Sequence, residues 1–189
     1  MQSFPDLVSP LRSEAVELRF AAERDIPEIL IAHQDDPQLY LQLGLERPPS
    51  GAELGRRSEH EAQERASGNA VRFTILEPGC DACAGQFDVH RVDWDHRRAE
   101  AGIWIVPHAR RRGLASAALP LAGRWLFEVC GLARLELLTQ PDNEAMIAAA
   151  RRAGLTEEGV LRAFVRERGR RLDLAVLSLL PADLEPQQP

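Results

Sequence analysis

The chain contains no lysine, because all 23 of its basic residues are arginine. A lysine side chain therefore cannot act here as nucleophile or general base. Cysteine is scarce: three residues, an odd number, provide no disulfide framework and indicate a reducing compartment. No apolar run approaches the ~20 residues that span a bilayer, and the first residues lack the basic and then apolar stretch of a secretory leader. These absences predict a cytoplasmic protein without a membrane partner.

Two of the cysteines, Cys80 and Cys83, form a C-x-x-C pair, which is half of a typical zinc site. The other half is absent, because His90, His96 and Cys130 show no paired ligand spacing. A proline and two glycines surround the pair, so a turn between two strands is the favoured interpretation. We therefore predict no metal, and a zinc-stapled binding domain is a weaker alternative.

The charge balance is acidic, with a formal net charge of −6 on 189 residues. This balance argues against a protein that binds the phosphate backbone of a nucleic acid. Hydrophobic residues make up 44% of the chain and charged residues 28%, which is ordinary for a globular protein. We predict one domain at residues 14–180, with tails at residues 1–13 and 181–189.

Residues 98–118 are the most informative stretch. Side chains 99–106 are nearly all apolar, which is typical of a buried strand, and Glu100 is the only charge among them. Pro107 ends the strand, and three arginines and a glycine then precede a helical run. A helix start presents unpaired backbone N–H groups and a partial positive charge, so this turn favours a pyrophosphate. A solvated basic turn that only caps the helix is the alternative.

The pattern Arg110-x-x-Gly113-x-Ala115 after a strand resembles the acyl-CoA pyrophosphate loop of the GNAT acetyltransferase superfamily, and the surrounding sequence resembles its RimJ/RimL branch. The resemblance continues in residues 140–143 (QPDN), 152–155 (RAGL) and 158–180. It implies an α+β fold, an α/β/α sandwich. The central sheet would be mixed, mostly antiparallel and twisted, with about seven strands, a splay between strands 4 and 5, and about four flanking helices.

Local patterns are compatible with that fold. Apolar alternation and turn residues predict strands over residues 14–20, 71–76, 84–92, 98–106, 135–139, 161–165 and 172–179. Capping signals at Asp25, Ser50 and Asp142 predict helices over residues 25–34, 50–66 and 143–153, and a further helix follows the arginine turn to about residue 129.

The resemblance implies a set of cofactor contacts. Backbone amides of residues 111–116 would hold the pyrophosphate, the edge at Ile105 and Val106 would pair with the pantetheine, and the side-chain amide of Asn143 would contact the same arm. The predicted cofactor-binding residues are Ile105, Val106, Arg110, Arg111, Arg112, Gly113, Leu114, Ala115, Ser116 and Asn143. For Asn143, ordinary helix capping is a strong alternative.

Glu100 is the predicted general base, since a carboxylate partly shielded from water suits proton removal from an ammonium group. A structural ion pair with Arg97, Arg98 or Arg166 is the alternative. No acid is assigned, because Met146 stands where the family commonly has serine and Tyr40 is the only tyrosine.

Two aromatic residues are candidates for substrate binding. Tyr40 lies in a leucine-rich segment that either lines a pocket or closes the core. Trp94, between Asp93 and Asp95, is predicted to help receive a cationic amine, and a plain turn is the alternative.

The implied activity is acetyl-CoA-dependent N-acetylation of a primary amine, either a protein N-terminal α-amine or a small-molecule amine. Direct attack in a ternary complex is expected, because no cysteine or serine lies in a nucleophile setting. A non-catalytic acyl-CoA sensor is the alternative, favoured by Met146. Neither nucleic acid nor membrane is an expected partner, and the resemblance makes a homodimer an expectation.

Overall fold

Strands with one strongly apolar face build a single mixed sheet in the computed structural model, which describes residues 2–185. The strands are β1 (Leu11–Arg12), β2 (Glu17–Phe20), β3 (Val71–Leu76), β4 (Gly85–Asp93), β5 (Arg98–Ile105), β6 (Arg134–Thr139), β7 (Thr156–Glu167) and β8 (Arg170–Leu179). Their spatial order is β1-β2-β3-β4-β5-β6-β8-β7. Every neighbouring pair is antiparallel except β5 and β6, which run parallel. The expected mixed, mostly antiparallel sheet is confirmed.

Helices cover both faces of this sheet. They are α1 (Ile26–Asp35), α2 (Leu39–Gln42), α3 (Gly51–Ala66), α4 (Leu114–Glu128) and α5 (Glu144–Arg152). The predicted α+β sandwich is therefore correct. The structure differs from the prediction in two short elements: the two-residue strand β1 and the single-turn helix α2 lie in segments where no regular element was expected.

The face under α4 and α5 forms the main core. Phe73 of β3 and Phe87 of β4 are fully buried, and the ring centroid of Phe73 lies 5.4 Å from that of Trp125 on α4 in an edge-on arrangement. Leu119 and Leu126 of α4 are also fully buried. Burying a side chain of this size stabilises a fold by about 1.5–3 kcal/mol, so this layer contributes strongly to the stability of the fold.

The opposite face, under α1 and α3, buries polar groups beside apolar side chains such as Ile29 and Leu54. Asp25 occupies the position before α1, but its carboxylate is buried and accepts hydrogen bonds from the Arg19 guanidinium, Thr74 Oγ1 and the Ala22 N–H. The prediction that Asp25 caps α1 was wrong, because these partners turn the side chain inward. Ser50 does cap α3 as predicted, since its Oγ accepts from the Glu53 N–H.

The parallel pair β5 and β6 separates after a short contact. The register joins Arg98–Ala101 to Arg134–Leu137, and beyond Ala101 the two strands have no further pairing. β5 continues to Ile105 and β6 to Thr139, so a gap opens between their C-terminal ends. This gap is the expected splay between the fourth and fifth predicted strands.

Among residues 2–185, no helix is both long enough and apolar enough to cross a membrane.

Candidate functional site

A turn with unused backbone donors joins β5 to α4. The N–H groups of residues 111–116 have no hydrogen-bond acceptor among the described residues, and no side chain caps α4. Arg111 (φ 64°) and Gly113 (φ 83°) are left-handed, a conformation that makes successive N–H groups converge into a concave anion site. The positive end of the helix dipole points to the same place. The turn therefore has the geometry of a phosphate cradle, which we call the anion turn (residues 110–116).

Two of the three arginine side chains of the anion turn are engaged elsewhere. Arg110 Nη2 lies 2.7 Å from Asp36 Oδ2, and its Nε donates to the Ile105 carbonyl at 3.0 Å. Arg112 Nη1 donates to Glu77 Oε1 at 2.9 Å. Arg111 alone has no side-chain partner among the described residues. The backbone, rather than three guanidinium groups, thus forms the cradle, and Arg110 and Arg112 anchor the turn to its neighbours.

β4 pairs with one side of β5, and the backbone groups on the other side of β5 face the gap. The Val106 N–H donates to the Ala84 carbonyl at 2.9 Å, which directs it away from the gap. Because alternate residues of a strand bond to opposite sides, the N–H groups of Ile103 and Ile105 face the gap. The predicted pairing of the Val106 N–H with a ligand in the gap was therefore wrong, whereas the N–H groups of Ile103 and Ile105 are directed into the gap. Only the register reveals this, since the sequence does not say which residues pair with β4.

Glu100 points to the sheet face away from α4. Arg91 Nη1 lies 3.0 Å from both carboxylate oxygens of Glu100, and His90 Nε2 lies 3.7 Å from Oε2. The side chain of Glu100 is 17% exposed and that of Arg91 is 58% exposed. The alternative partners Arg97, Arg98 and Arg166 were wrong. A bulge between His90 and Asp93 brings Arg91 to Glu100 instead, and sequence spacing gave no signal for it.

Glu100 lines an open cleft of about 780 Å³ on this face, which we call the acceptor cleft. Its lining comes from four strands and the end of β4. The lining residues are Arg91, Asp93, Arg98, Ala99, Glu100, Glu136, Leu138, Glu158, Gly159, Val160, Leu161, Phe164 and Val176. The cleft therefore combines a carboxylate suited to a cation with an extended apolar surface.

Asn143 caps α5. Its Oδ1 accepts from the Met146 N–H at 3.2 Å, and its Nδ2 donates to Thr139 Oγ1 at 3.0 Å. The predicted cap Asp142 was wrong by one residue, and the capping alternative for Asn143 is confirmed. A side-chain amide has two N–H donors, so one of them stays available beside the C-terminal end of β6, where the cofactor contact was predicted.

Trp94 lies away from the acceptor cleft. Its Nε1 donates to the Gly68 carbonyl at 2.9 Å, and its ring centroid lies 5.2 Å from that of Phe4. The bulge and turn after β4 direct the indole toward the N-terminal segment. Trp94 is therefore a packing residue, and its predicted contact with substrate is not supported by this placement.

Tyr40 lies on a segment that crosses between two loops. Asp36 at the start of the segment is bound to Arg110 of the anion turn. At the other end, the Arg168 guanidinium lies 5.5 Å from the centroid of the Tyr40 ring and Nη2 donates to the Leu45 carbonyl at 3.2 Å. Residues 36–45 thus run from the anion turn to the tip of the β7–β8 hairpin. Leu39 is buried in the core, whereas the other leucines of the segment are half-buried.

The cysteines form neither a disulfide nor a metal site in the described part of the chain. Cys80 is exposed and Cys83 is buried, with its Sγ hydrogen-bonded to the Gly85 carbonyl. Burial raises the pKa of Cys83 to about 12 and that of Cys130 to about 12. Both thiols are therefore protonated near neutral pH and are poor nucleophiles.

An acetyltransferase (GNAT) domain matches residues 15–156. The chain therefore belongs to the GNAT acetyltransferase family, and it is an acetyltransferase enzyme. It is similar to the uncharacterized N-acetyltransferase YoaA of Bacillus subtilis (strain 168), at 26% identity over 90% of this chain and 96% of that protein. Mycobacterium smegmatis RimJ in complex with CoA-disulfide has the same fold, with a TM-score of 0.84 and 25% identity over 98% of this chain and 93% of that one. The expected RimJ-like resemblance is confirmed.

A further relative is the spermidine N(1)-acetyltransferase of Escherichia coli (strain K12). It is 37% identical over 103 residues, which are 54% of this chain and 50% of that protein.

Proposed function

We propose that the protein transfers the acetyl group of acetyl-CoA to a primary amine and that the anion turn binds the CoA diphosphate. The observation that carries this proposal is the row of unused N–H groups at residues 111–116, next to the gap between β5 and β6. Peptide N–H groups at a helix start bind phosphate oxygens well, because the helix dipole adds to their hydrogen bonds. The CoA-disulfide bound to the RimJ relative supports the same kind of ligand.

The residues around the turn leave room for such a group. At Gly113, the nearest atom to an added Cβ would be Ser116 Oγ at 3.9 Å, so the protein leaves the concave side of the turn open. The N–H groups of Ile103 and Ile105 lie along the gap and suit the amide carbonyls of a pantetheine arm. The remaining N–H of Asn143 suits the same arm from the β6 side.

Glu100 takes a proton from the incoming ammonium group in this proposal. Its carboxylate lies on the same strand as the gap, two residues before the strands separate fully, and it faces the acceptor cleft. Arg91, which bridges both carboxylate oxygens, is mostly exposed and moves aside for a cationic substrate. When bound, acetyl-CoA supplies the acetyl group, which passes from sulfur to the amine nitrogen as CoA leaves as a thiolate.

The transfer is direct. Cys83 and Cys130 are protonated and lie outside the lining of the acceptor cleft, so no acyl-enzyme forms on them. Met146 has no proton to donate to the departing thiolate. The Tyr40 hydroxyl has a proton, and Tyr40 lies on the segment of residues 36–45 that runs from the anion turn to the β7–β8 hairpin. Tyr40 or water therefore protonates the thiolate.

The proposal is tested by acetyl-CoA binding and amine-dependent thiol release. We expect calorimetry to detect binding of acetyl-CoA and CoA to be released only when an amine is present. The variant Gly113→Ala should bind acetyl-CoA about tenfold more weakly, since a left-handed backbone costs a non-glycine residue roughly 1–2 kcal/mol and distorts the cradle.

Gly131→Ala is the matched control. Gly131 is also left-handed, at φ 75°, and nothing lies within 4 Å of an added Cβ, so this variant should lose comparable stability and keep its affinity for acetyl-CoA. Equal losses of affinity in both variants, or no binding to the unaltered protein, would contradict the proposal. Binding of acetyl-CoA without release of CoA in the presence of the amines tested would indicate an acyl-CoA sensor.

A further inference from the structure

The acceptor cleft has an apolar floor next to Glu100. Glu100 is registered with Glu136, and Glu136 with Ser178, which makes one polar row across the sheet. Side chains two residues apart share a face, so the next row toward the gap contains Leu138, Val176 and Gly159. This second row is apolar and begins beside the point where β5 and β6 separate.

An exposed apolar wall rises from this floor. Val160, Leu161 and Phe164 of β7 are 47%, 39% and 43% exposed, and all three line the cleft. β7 is bulged on either side of Leu161, with left-handed backbone at Ala163 (φ 52°). Bulges bend a strand and redirect its side chains, which brings Leu161 and Phe164 to the same cleft. Large apolar side chains grouped in the open indicate a surface that is covered when a ligand binds.

The other carboxylates of the cleft already have cationic partners. Arg134 donates to Glu136 at 2.7 Å and to Glu158 at 2.7 Å, and Ser178 Oγ also donates to Glu158. These bonds lower the pKa of Glu158 to about 2.

Asp93 is similarly engaged, because it accepts hydrogen bonds from His96 and Arg98. Glu100 also has a cationic partner, but Arg91 is 58% exposed, whereas Arg134, which binds both Glu136 and Glu158, is 26% exposed. A substrate cation therefore displaces Arg91 from Glu100 more readily than it displaces Arg134, and Glu100 is the carboxylate of the polar row that best accommodates one cation.

We propose that the acceptor is a primary amine with a single positive charge and one large apolar group, and that Leu161 and Phe164 bind that group. This inference rests on the proposed function. The amine lies at Glu100 and the apolar group extends over Leu138 and Val176 to the β7 wall. An aralkylamine and the first residue of a peptide with an apolar side chain share this chemistry.

Steady-state thiol release with matched amines tests the proposal. Phenethylamine should have a kcat/KM at least about tenfold above that of ethylamine, which lacks the apolar group, because a hydrophobic pocket discriminates by about 10–200-fold for each methylene-sized contact. The kcat/KM of phenethylamine should also exceed that of spermidine. A peptide that begins with Phe is compared with the same peptide beginning with Gly by the same assay. A higher kcat/KM for the Phe peptide identifies a peptide N-terminus as the source of the apolar group, and turnover of phenethylamine without turnover of either peptide identifies a free amine.

Variants of the wall locate the contact. Leu161→Ser and Phe164→Ser should each raise KM for phenethylamine about tenfold, while KM for ethylamine and the affinity for acetyl-CoA stay unchanged. Val129→Ser is the matched control, because Val129 is 57% exposed and lies at the C-terminal end of α4, outside the cleft lining.

Two results would overturn this inference and leave the proposed function intact: faster turnover of spermidine than of phenethylamine, or wall variants that behave like Val129→Ser. Failure to bind acetyl-CoA, or to release CoA with any amine, would overturn both proposals.

Discussion

The surroundings of two ionisable residues, Asp25 at the start of α1 and His33 within it, shift their pKa values. Burial alone would raise the pKa of Asp25, but hydrogen bonds from Arg19, Thr74 and Ala22 hold it below its ordinary value. His33 is buried, and its Nδ1 has no partner among the described residues. Burial lowers the pKa of His33. The nearby Arg57 lowers it further, and Asp36 opposes that shift. The folded protein therefore accommodates a neutral imidazole at position 33.

This placement predicts a pH-dependent stability. The unfolded chain binds a proton at His33 with the ordinary pKa of 6.5, whereas the folded chain resists it. The free energy of unfolding contributed by His33 is therefore present above pH 6.5 and decreases as the pH falls toward the lowered pKa of the folded state. Urea unfolding between about pH 5 and pH 8 measures it.

The variant His33→Leu should show a smaller loss of stability over that range. His108 is exposed, so His108→Leu should keep the dependence of the unaltered protein. Identical pH profiles for His33→Leu and the unaltered protein would show that His33 is not the group responsible.

At the scale of elements, β4 and β5 approach so closely at one position that only glycine fits. A Cβ on Gly85 would collide with the Trp104 carbonyl oxygen and lie 3.0 Å from the Ile105 Cα. At Gly102, by contrast, the nearest atom to an added Cβ is His90 Cε1 at 3.7 Å. The two glycines look alike in the sequence, and the sheet gives them different roles.

We expect Gly85→Ala to lower the free energy of unfolding by about 1–3 kcal/mol, because the two strands must move apart. The same shift would move Ile103 and Ile105, so affinity for acetyl-CoA should fall as well. Gly102→Ala is the paired control and should be as stable as the unaltered protein or slightly more so, since alanine has less backbone freedom to lose. Chemical denaturation and calorimetry measure the two effects, and equal stability of both variants would refute the argument.

At the scale of the whole molecule, the N-terminal segment is part of the packed structure. Phe4 is 3% exposed and lies between Trp94 and Trp125, with ring centroids at 5.2 Å and 6.2 Å. β1 adds a short strand at the edge of the sheet beside β2. The segment at residues 2–13 thus contacts the same helix, α4, that begins at the anion turn.

Phe4→Ala should therefore destabilise the protein by about 3 kcal/mol, in the range for removing a buried aromatic ring. Val8 of the same segment is fully exposed, so Val8→Ala should change stability by less than about 0.5 kcal/mol. Thermal unfolding of the two variants compares them directly. A Phe4→Ala protein as stable as Val8→Ala would mean that the segment behaves as the tail that the sequence suggested.

Local interactions account for the parts of the fold that the sequence determined by itself. Seven of the eight described strands, the cap at Ser50, and the turn at Pro107 to Gly113 depend on alternation, backbone conformation and hydrogen bonds between near neighbours, all of which are visible in the chain. For the same reason, the unused N–H groups at residues 111–116 were expected correctly. The RimJ-like resemblance added the mixed, mostly antiparallel character of the sheet and the splay, which periodicity alone does not give.

Only the tertiary structure decided which distant groups meet. It paired Glu100 with Arg91 through a bulge, turned Asp25 inward to Arg19, directed Trp94 away from the acceptor cleft, and placed Leu161 and Phe164 in the lining of the cleft that also contains Glu100. Each of these depends on strand register or on a contact between remote segments, and a shift of one residue in register reverses every side chain on a strand. The sequence therefore determined where the unused N–H groups of the anion turn lie, and the tertiary structure decided which side chains line the cleft on the sheet face away from α4.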